Sequence, residues 1–178
     1  MSTVLYVIGN PEPARSSFTQ ELLDHIDQLE HLQVEKILLS EHLHDGRFLV
    51  NEMQAQLERA EALVIHAPVY WYGAPAIVKS WMDQTLTPGW AFPSHNSKLR
   101  GKSIALSLTI GASLESYQPG EANNHTLSTY FLPYRQAFEY CGMEWKGIAA
   151  SQVPSTIPTK QAALEQFEKT QELFNEQG

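Results

Sequence analysis

Cysteine, long apolar runs and surplus basic charge are all scarce in this sequence, and each scarcity removes a class of protein. Cys141 is the one cysteine, so no internal disulfide framework is available. Without a CxxC partner it reads as a buried core thiol on the apolar side of its helix. No apolar run approaches membrane-spanning length. The chain passes from Met1-Ser2-Thr3 straight into an apolar run, without the charged region and small-residue cleavage site of a signal peptide, so a cytoplasmic protein is expected. Lys plus Arg number 12 against 20 Asp plus Glu, and the net charge of -8 disfavours non-specific affinity for nucleic acid or anionic lipid. GxGxxG and the GxxxxGK phosphate loop are absent, which argues against a classical dinucleotide fold or a tightly held triphosphate; GxSxG and HExxH are absent too, which removes the common hydrolase readings. His42 and His44 lack cysteine or carboxylate neighbours at metal spacing, so no metal site is expected.

What is present organises itself around Ala62 to Thr85. An apolar run, Ala62-Leu63-Val64-Ile65, leads into the aromatic cluster Tyr70-Trp71-Tyr72, and after Pro75 the residues Ile77, Val78, Trp81 and Met82 recur at helical spacing. That pattern predicts strand, loop, helix. Three adjacent aromatics between Pro68 and Gly73 cannot all be buried in so short a loop, so some face a ligand or a partner.

The same alternation runs through the chain. Strands are expected over 3–8, 34–39, 62–65, 102–109 and 143–150, and helices over 18–28, 50–60, from Pro75, over 127–141 with Pro133 kinking it or marking its true start, and over 159–174, with fraying beyond. The connection from Ser40 to Phe48 reads as irregular. With 178 residues, 43% of them hydrophobic and 18% charged, the chain is long enough for one full core, so residues 1–178 are expected to form a single domain. Five strands alternating with helices imply a doubly wound three-layer sandwich, and the order 2-1-3-4-5 is favoured over a six-strand dinucleotide fold. In that order the loops after strands one, three and four converge. The first, GNPEPARSS, leads onto a helix N-terminus where Ser16 or Ser17 is a good N-cap; capping alone and anion binding are both open readings. The third supplies aromatics and the fourth supplies Gly111. The long segment from Leu86 to Gly101 reads either as functional or as a cover, through Trp90 and Phe92, for a sheet edge or subunit interface.

The runs APVYWYGAPAIVKSWMDQTLTPGWAF, LRGK, TIGASLESYQPGEANN and FLPYRQAFEYCGM, in that order, resemble the flavodoxin-like NAD(P)H:quinone oxidoreductases. The bacterial branch, with the ancillary oxidoreductases of glutathione-gated potassium efflux systems and the general stress protein, looks closest. The resemblance implies a flavin-binding homodimer, holding FMN with FAD as the alternative, whose site lies between subunits. It implies NAD(P)H as electron donor and a quinone or related electrophile as acceptor in a two-electron, ping-pong transfer. It maps the phosphate turn onto Asn10, Ser16, Ser17, Phe18 and Thr19. The walls of the flavin ring fall on Pro68, Val69, Tyr70, Trp71 and Tyr72 and on Thr109, Ile110, Gly111 and Ala112. Tyr117, with His125 by loop position, is the implied donor of a hydrogen bond or proton. The chain departs from the family pattern with Asn10 for a histidine, Thr19 for an asparagine, His66 displaced by one from the end of its strand, and Ala112 for a glycine. A regulatory subunit docked on a membrane transporter and a flavodoxin-type electron carrier are the competing readings; the long loops and the Tyr117 segment argue against the carrier.

Overall fold

Short runs that are apolar on both faces must be covered on both faces, and in this chain they pair as parallel strands under two layers of helices. The computed structural model describes residues 3–29, 33–154 and 157–175. Strands β1 (Val4–Ile8), β2 (Val34–Leu38), β3 (Ala62–Pro68), β4 (Ser103–Ile110) and β5 (Glu144–Gln152) form one five-stranded sheet in the expected order 2-1-3-4-5. Helices α1 (Ser17–Asp27) and α5 (Thr159–Asn175) cover one face; α2 (Val50–Arg59), α3 (Ala76–Thr85) and α4 (Leu132–Tyr140) cover the other. Alternation along β1 shows the division. Leu5 and Val7 join Met53, Leu57, Val78 and Trp81, whereas Tyr6 and Ile8 join Phe18, Leu22 and Phe167.

Several boundaries differ from the sequence expectation. The connection read as irregular holds one helical turn, Leu39–His42, and a two-residue antiparallel ladder, Leu43–His44 with Arg47–Phe48. Asp45-Gly46 closes that ladder with φ of 49° and 75°, so the Asp-Gly dipeptide carried a hairpin signal. Strand β3 runs on to Pro68 because His66 and Ala67 are both fully buried. Pro75 stands at the cap of α3 rather than inside its first turn. The run over 127–141, where Pro133 was expected to kink the helix or mark its true start, does divide, at Phe131, into a single turn, Leu127–Tyr130, and α4, with Pro133 in the first turn of α4 and Gly142, at φ +83°, ending it. Helix α5 continues to Asn175; residues 176–178, where fraying was expected, lie outside the described ones.

A buried polar network pins α5 to the sheet. Gln166 donates through Nε2 to Ser107 Oγ at 3.0 Å and to the Ala149 carbonyl at 3.0 Å, and its Oε1 accepts from Ser151 Oγ at 2.6 Å. Ser107 Oγ also lies 3.2 Å from His66 Nδ1, and the His66 ring, fully buried, stacks on Phe18. Burial holds the His66 pKa down at about 4, against an ordinary value of about 6.5.

The folded-state pKa is the lower one, so the unfolded chain binds more protons between the two values. The His66 contribution to stability is therefore complete above the unfolded pKa and is lost as the pH falls towards 4. The difference between the two values amounts to about 3 kcal/mol. Urea unfolding across that range should show a pH-dependent loss that is smaller by roughly this amount in His66→Gln; identical pH profiles for the two proteins would contradict it.

Candidate functional site

The cleft is assembled where three chains leave the sheet side by side. Gly9 N–H donates to the His66 carbonyl at 2.7 Å, and Val69 N–H to the Thr109 carbonyl at 2.8 Å, so the exits of β1, β3 and β4 stay hydrogen-bonded one residue past the strands. Carboxyl ends of adjacent parallel strands in such a sheet form the crevice where ligands bind.

The β1 exit ends in a cradle of backbone and hydroxyl donors at a helix N-terminus. Ser16 caps α1, its Oγ accepting from Thr19 N–H at 3.2 Å, and Gln20 N–H makes the first helical bond to the Ser16 carbonyl at 3.0 Å. The N–H groups of Ser17 and Phe18 therefore precede the intrahelical ladder and point from the positive end of the helix. Asn10, only 6% exposed, fixes the loop against the helix: Oδ1 accepts from Glu12 N–H at 3.0 Å and Nδ2 donates to Thr19 Oγ1 at 3.1 Å. Two of the four departures from the family pattern, Asn10 and Thr19, thus bond to each other. Arg15 pairs with Glu12 at 2.9 Å on the rim, both side chains exposed, so the pair contributes little stability but places a guanidinium beside the cradle.

The β3 exit is a tight, strained turn. Tyr70 N–H donates to the Gly73 carbonyl at 2.8 Å and Gly73 N–H to the Tyr70 carbonyl at 3.1 Å. Between them Trp71 and Tyr72 have φ of 47° and 66°. Such two-residue turns are normally filled by Asn-Gly, and a left-handed φ costs a residue with a bulky side chain about 1–3 kcal/mol. The β4 exit is open instead. A Cβ at Gly111 would have nothing within 4 Å, and Ala112 is not among the described residues with left-handed φ, so its methyl group causes no backbone strain.

Together the exits enclose a cleft of about 500 Å³. It brings together Asn10 and Ser16 from the first loop, Pro68, Val69 and Tyr70 from the second, and Thr109, Ile110 and Gly111 from the third. Glu12, Arg15 and Val153 also line it and were not anticipated. Val153 follows β5, whose position beside β4 was the available signal; Glu12 and Arg15 sit in a proline-rich loop with no periodicity to read. Phe18 and Thr19, each 2% exposed, turn their side chains inward, leaving backbone N–H as what Phe18 can offer. His66 is one residue out of step and, by the two-residue period of a strand, faces α1 rather than the cleft. Trp71 and Tyr72 occupy the turn tip; Tyr117 and His125 flank Tyr130 beside it, with ring centroids 6.3 and 5.7 Å from that ring. Burial, then the neighbouring Tyr72 and Tyr130, push the Tyr117 pKa up, so its hydroxyl stays protonated.

An apolar groove of about 470 Å³ lies apart from these exits, between α3 and α4, with Met82, Leu86, Phe92, Tyr134 and Tyr140 among its walls. Lys79 and Asp83 on its rim pair with each other, and burial pushes the Cys141 thiol up in pKa, so the groove offers packing surface while the cleft offers chemistry.

A family model described as Flavodoxin-like fold matches residues 2–172. The Uncharacterized NAD(P)H oxidoreductase YrkL of Bacillus subtilis is 38% identical over 96 residues, 54% of this chain and 55% of that protein, so the chain spans about half the length of this relative. The glutathione-regulated potassium-efflux system ancillary protein KefF of Klebsiella aerogenes is 29% identical over 142 residues, 80% of this chain and 78% of that protein. Among solved structures, general stress protein 14 of Treponema denticola in complex with FMN matches with a TM-score of 0.85 and 23% identity over 96% of this chain and 99% of that one, a likeness of fold.

Strain at the turn has a direct test. Trp71→Asn places at this position a residue that tolerates left-handed φ, and should raise the unfolding free energy by about 1 kcal/mol in urea titrations. Unchanged or lower stability would show that the turn is not strained.

Proposed function

The chain belongs to the flavodoxin-like fold family, and from that premise we propose that it is an FMN-dependent NAD(P)H:quinone oxidoreductase. The observation that carries the reading is the meeting, in one cleft, of an anion cradle at the N-terminus of α1 with flat walls from Pro68–Tyr70 and Thr109–Gly111. A single cradle of this kind matches the one phosphate of FMN better than the two of FAD. The FMN-bound structural neighbour supports the same choice, and the name of the YrkL relative supports NAD(P)H as the electron donor.

FMN, when bound, supplies the centre that accepts and gives up a hydride. The chain holds and orients around it. Ser16 Oγ–H and the N–H groups of Ser17 and Phe18 hold the phosphate, and Asn10 keeps these donors in register through Thr19. Val69 and Tyr70 on one side and Ile110 and Gly111 on the other bound a slot, with the open space at Gly111 admitting a flat ring. Tyr117 keeps its proton and serves as hydrogen-bond donor to the reacting groups, with His125 as the exposed second candidate. The substrate class is a quinone or related electrophile.

The protein acts as a homodimer in the cytoplasm. The 96% exposed Trp71 and the apolar groove between α3 and α4 are the surfaces a second copy would cover. No described helix is long and apolar enough to cross a membrane. A second reading, docking on a membrane transporter, is supported by the match to KefF over 78% of that protein, and co-purification with an integral membrane partner would establish it.

The visible spectrum of the freshly purified protein, repeated after FMN addition and desalting, should show a retained flavin band that bleaches with NAD(P)H and recovers with a soluble quinone. Failure to retain flavin under either condition would remove the oxidoreductase reading. Tyr117→Phe should lower kcat by about tenfold or more. Because the Tyr117 pKa is raised rather than lowered, the wild-type rate should not fall through loss of this proton as the pH approaches the ordinary tyrosine value of about 10; a wild-type activity loss below that pH that Tyr117→Phe abolishes would contradict the assignment.

A further inference from the structure

We infer that Tyr130 is the positioning residue of the cleft: its ring holds the strained Tyr70–Gly73 turn in shape, and its hydroxyl fixes the loop that carries Tyr117. The inference deepens the flavin reading and rests on it for its consequence in turnover, though not for the contacts themselves.

Tyr130 ends the single helical turn Leu127–Tyr130, and the next residue, Phe131, is 1% exposed in the core. That anchor fixes the backbone from which the Tyr130 ring projects. The ring stacks on Tyr72, with centroids 4.7 Å apart and planes inclined by 27°. Tyr72 is one of the two residues forced to positive φ, at 66°. From the following turn of chain Tyr134 adds a second hold, its hydroxyl oxygen accepting from Ala74 N–H at 3.2 Å. The two tyrosines therefore grip the turn on a side chain and on the backbone.

The other end of the Tyr130 side chain reaches the loop between β4 and the Leu127–Tyr130 turn. Its hydroxyl donates to the Asn123 carbonyl. Asn123 in turn donates to Ser116 from both its backbone N–H, at 3.0 Å to the carbonyl, and its side-chain amide, at 2.7 Å to Oγ. Ser116 precedes Tyr117, which meets the Tyr130 ring edge-on, with planes at 86°. One side chain thus joins the segment that walls the slot to the segment that presents the proposed donor. The two functions use different atoms: the ring acts on the turn, the hydroxyl on the loop.

Tyr130→Leu removes both functions and Tyr130→Phe only the second; Leu164→Ala, at an exposed position of α5 in the opposite layer, is the control. The first readout is amide hydrogen exchange of the 70–74 segment in flavin-free protein. Tyr130→Leu should speed exchange there by about tenfold, the scale of one aromatic pair, while Tyr130→Phe and Leu164→Ala leave it near the wild-type rate. The second readout is FMN affinity by flavin fluorescence. Tyr130→Leu should raise Kd by about tenfold, and Tyr130→Phe should keep it within about twofold. The third is steady-state turnover with NAD(P)H and a soluble quinone, where Tyr130→Phe should lower kcat several-fold with the KM for NAD(P)H unchanged. Wild-type exchange in Tyr130→Leu, or an equal effect of Leu164→Ala, overturns the inference. A wild-type protein that binds no FMN removes the flavin reading instead, and the exchange comparison then decides the role of Tyr130 without it.

Discussion

The pairing of β1 with β3, Ile8 opposite His66 and sealed by Gly9 N–H on the His66 carbonyl, is the constraint on which the cleft depends. A slip of one residue would exchange the two layers of side chains, turning Tyr6 and Ile8 towards α2 and α3. With this register, and with Pro68 opposite Thr109 in the next pair, three chain exits stand level and adjacent. Gly9 is where the fit is tightest. A Cβ there would stand 2.3 Å from Val78 Cγ2, so α3 lies directly against the backbone leaving β1. The helix that follows the aromatic turn and the loop that builds the anion cradle are thereby locked together through one missing methyl group.

The anion site we propose, in a chain of net charge -8, has to be local. Beyond about 8–10 Å, exposed charges are screened at physiological salt, so the acidic surface neither excludes nor attracts a phosphate at the cradle. What acts there is short-ranged: two N–H groups outside the helical ladder and the Ser16 hydroxyl, with the Arg15 guanidinium at the rim already paired with Glu12. The side chain of Asn10 binds no helix terminus itself. It fixes the loop from both ends, on Glu12 N–H and on Thr19 Oγ1, and the cost of arranging the donors falls on folding rather than on ligand binding.

The fold was legible because its signals are periodic. Short apolar runs alternate with helical spacing, and the order of five strands then follows from general rules of α/β packing. The cleft was legible in part. Its three loops were identifiable from their places after strands, and Asn10, Ser16, Pro68, Val69, Tyr70, Thr109, Ile110 and Gly111 do line it. Phe18 and Thr19 lie in the same turn but face the core, because the apolar stripe of α1 begins at its first turn. Tyr130 was hidden for a different reason. It reads as one more apolar position in a helical run, and its contact with Tyr72 spans a sequence distance that no local pattern reports. Left-handed φ at Trp71 and Tyr72 was equally invisible, since neither residue type marks such a turn.

Magnitudes decide what the aromatic turn is for. Two bulky residues at positive φ cost about 1–3 kcal/mol each. Against that stand two cross-turn hydrogen bonds and the hydroxyl contact of Tyr134, worth about 0.5–1.5 kcal/mol apiece, and the Tyr72–Tyr130 stack at about the same value. The contacts within the monomer therefore roughly offset the strain, and every one of them engages Tyr70, Tyr72, Gly73 or Ala74. Trp71 takes part in none of these contacts and is 96% exposed, so its indole adds strain and apolar surface in water with no return inside the chain. An Asn-Gly turn would hold the same backbone with neither cost. The turn holds this side chain out in solvent, where the second copy of the chain proposed above would cover it.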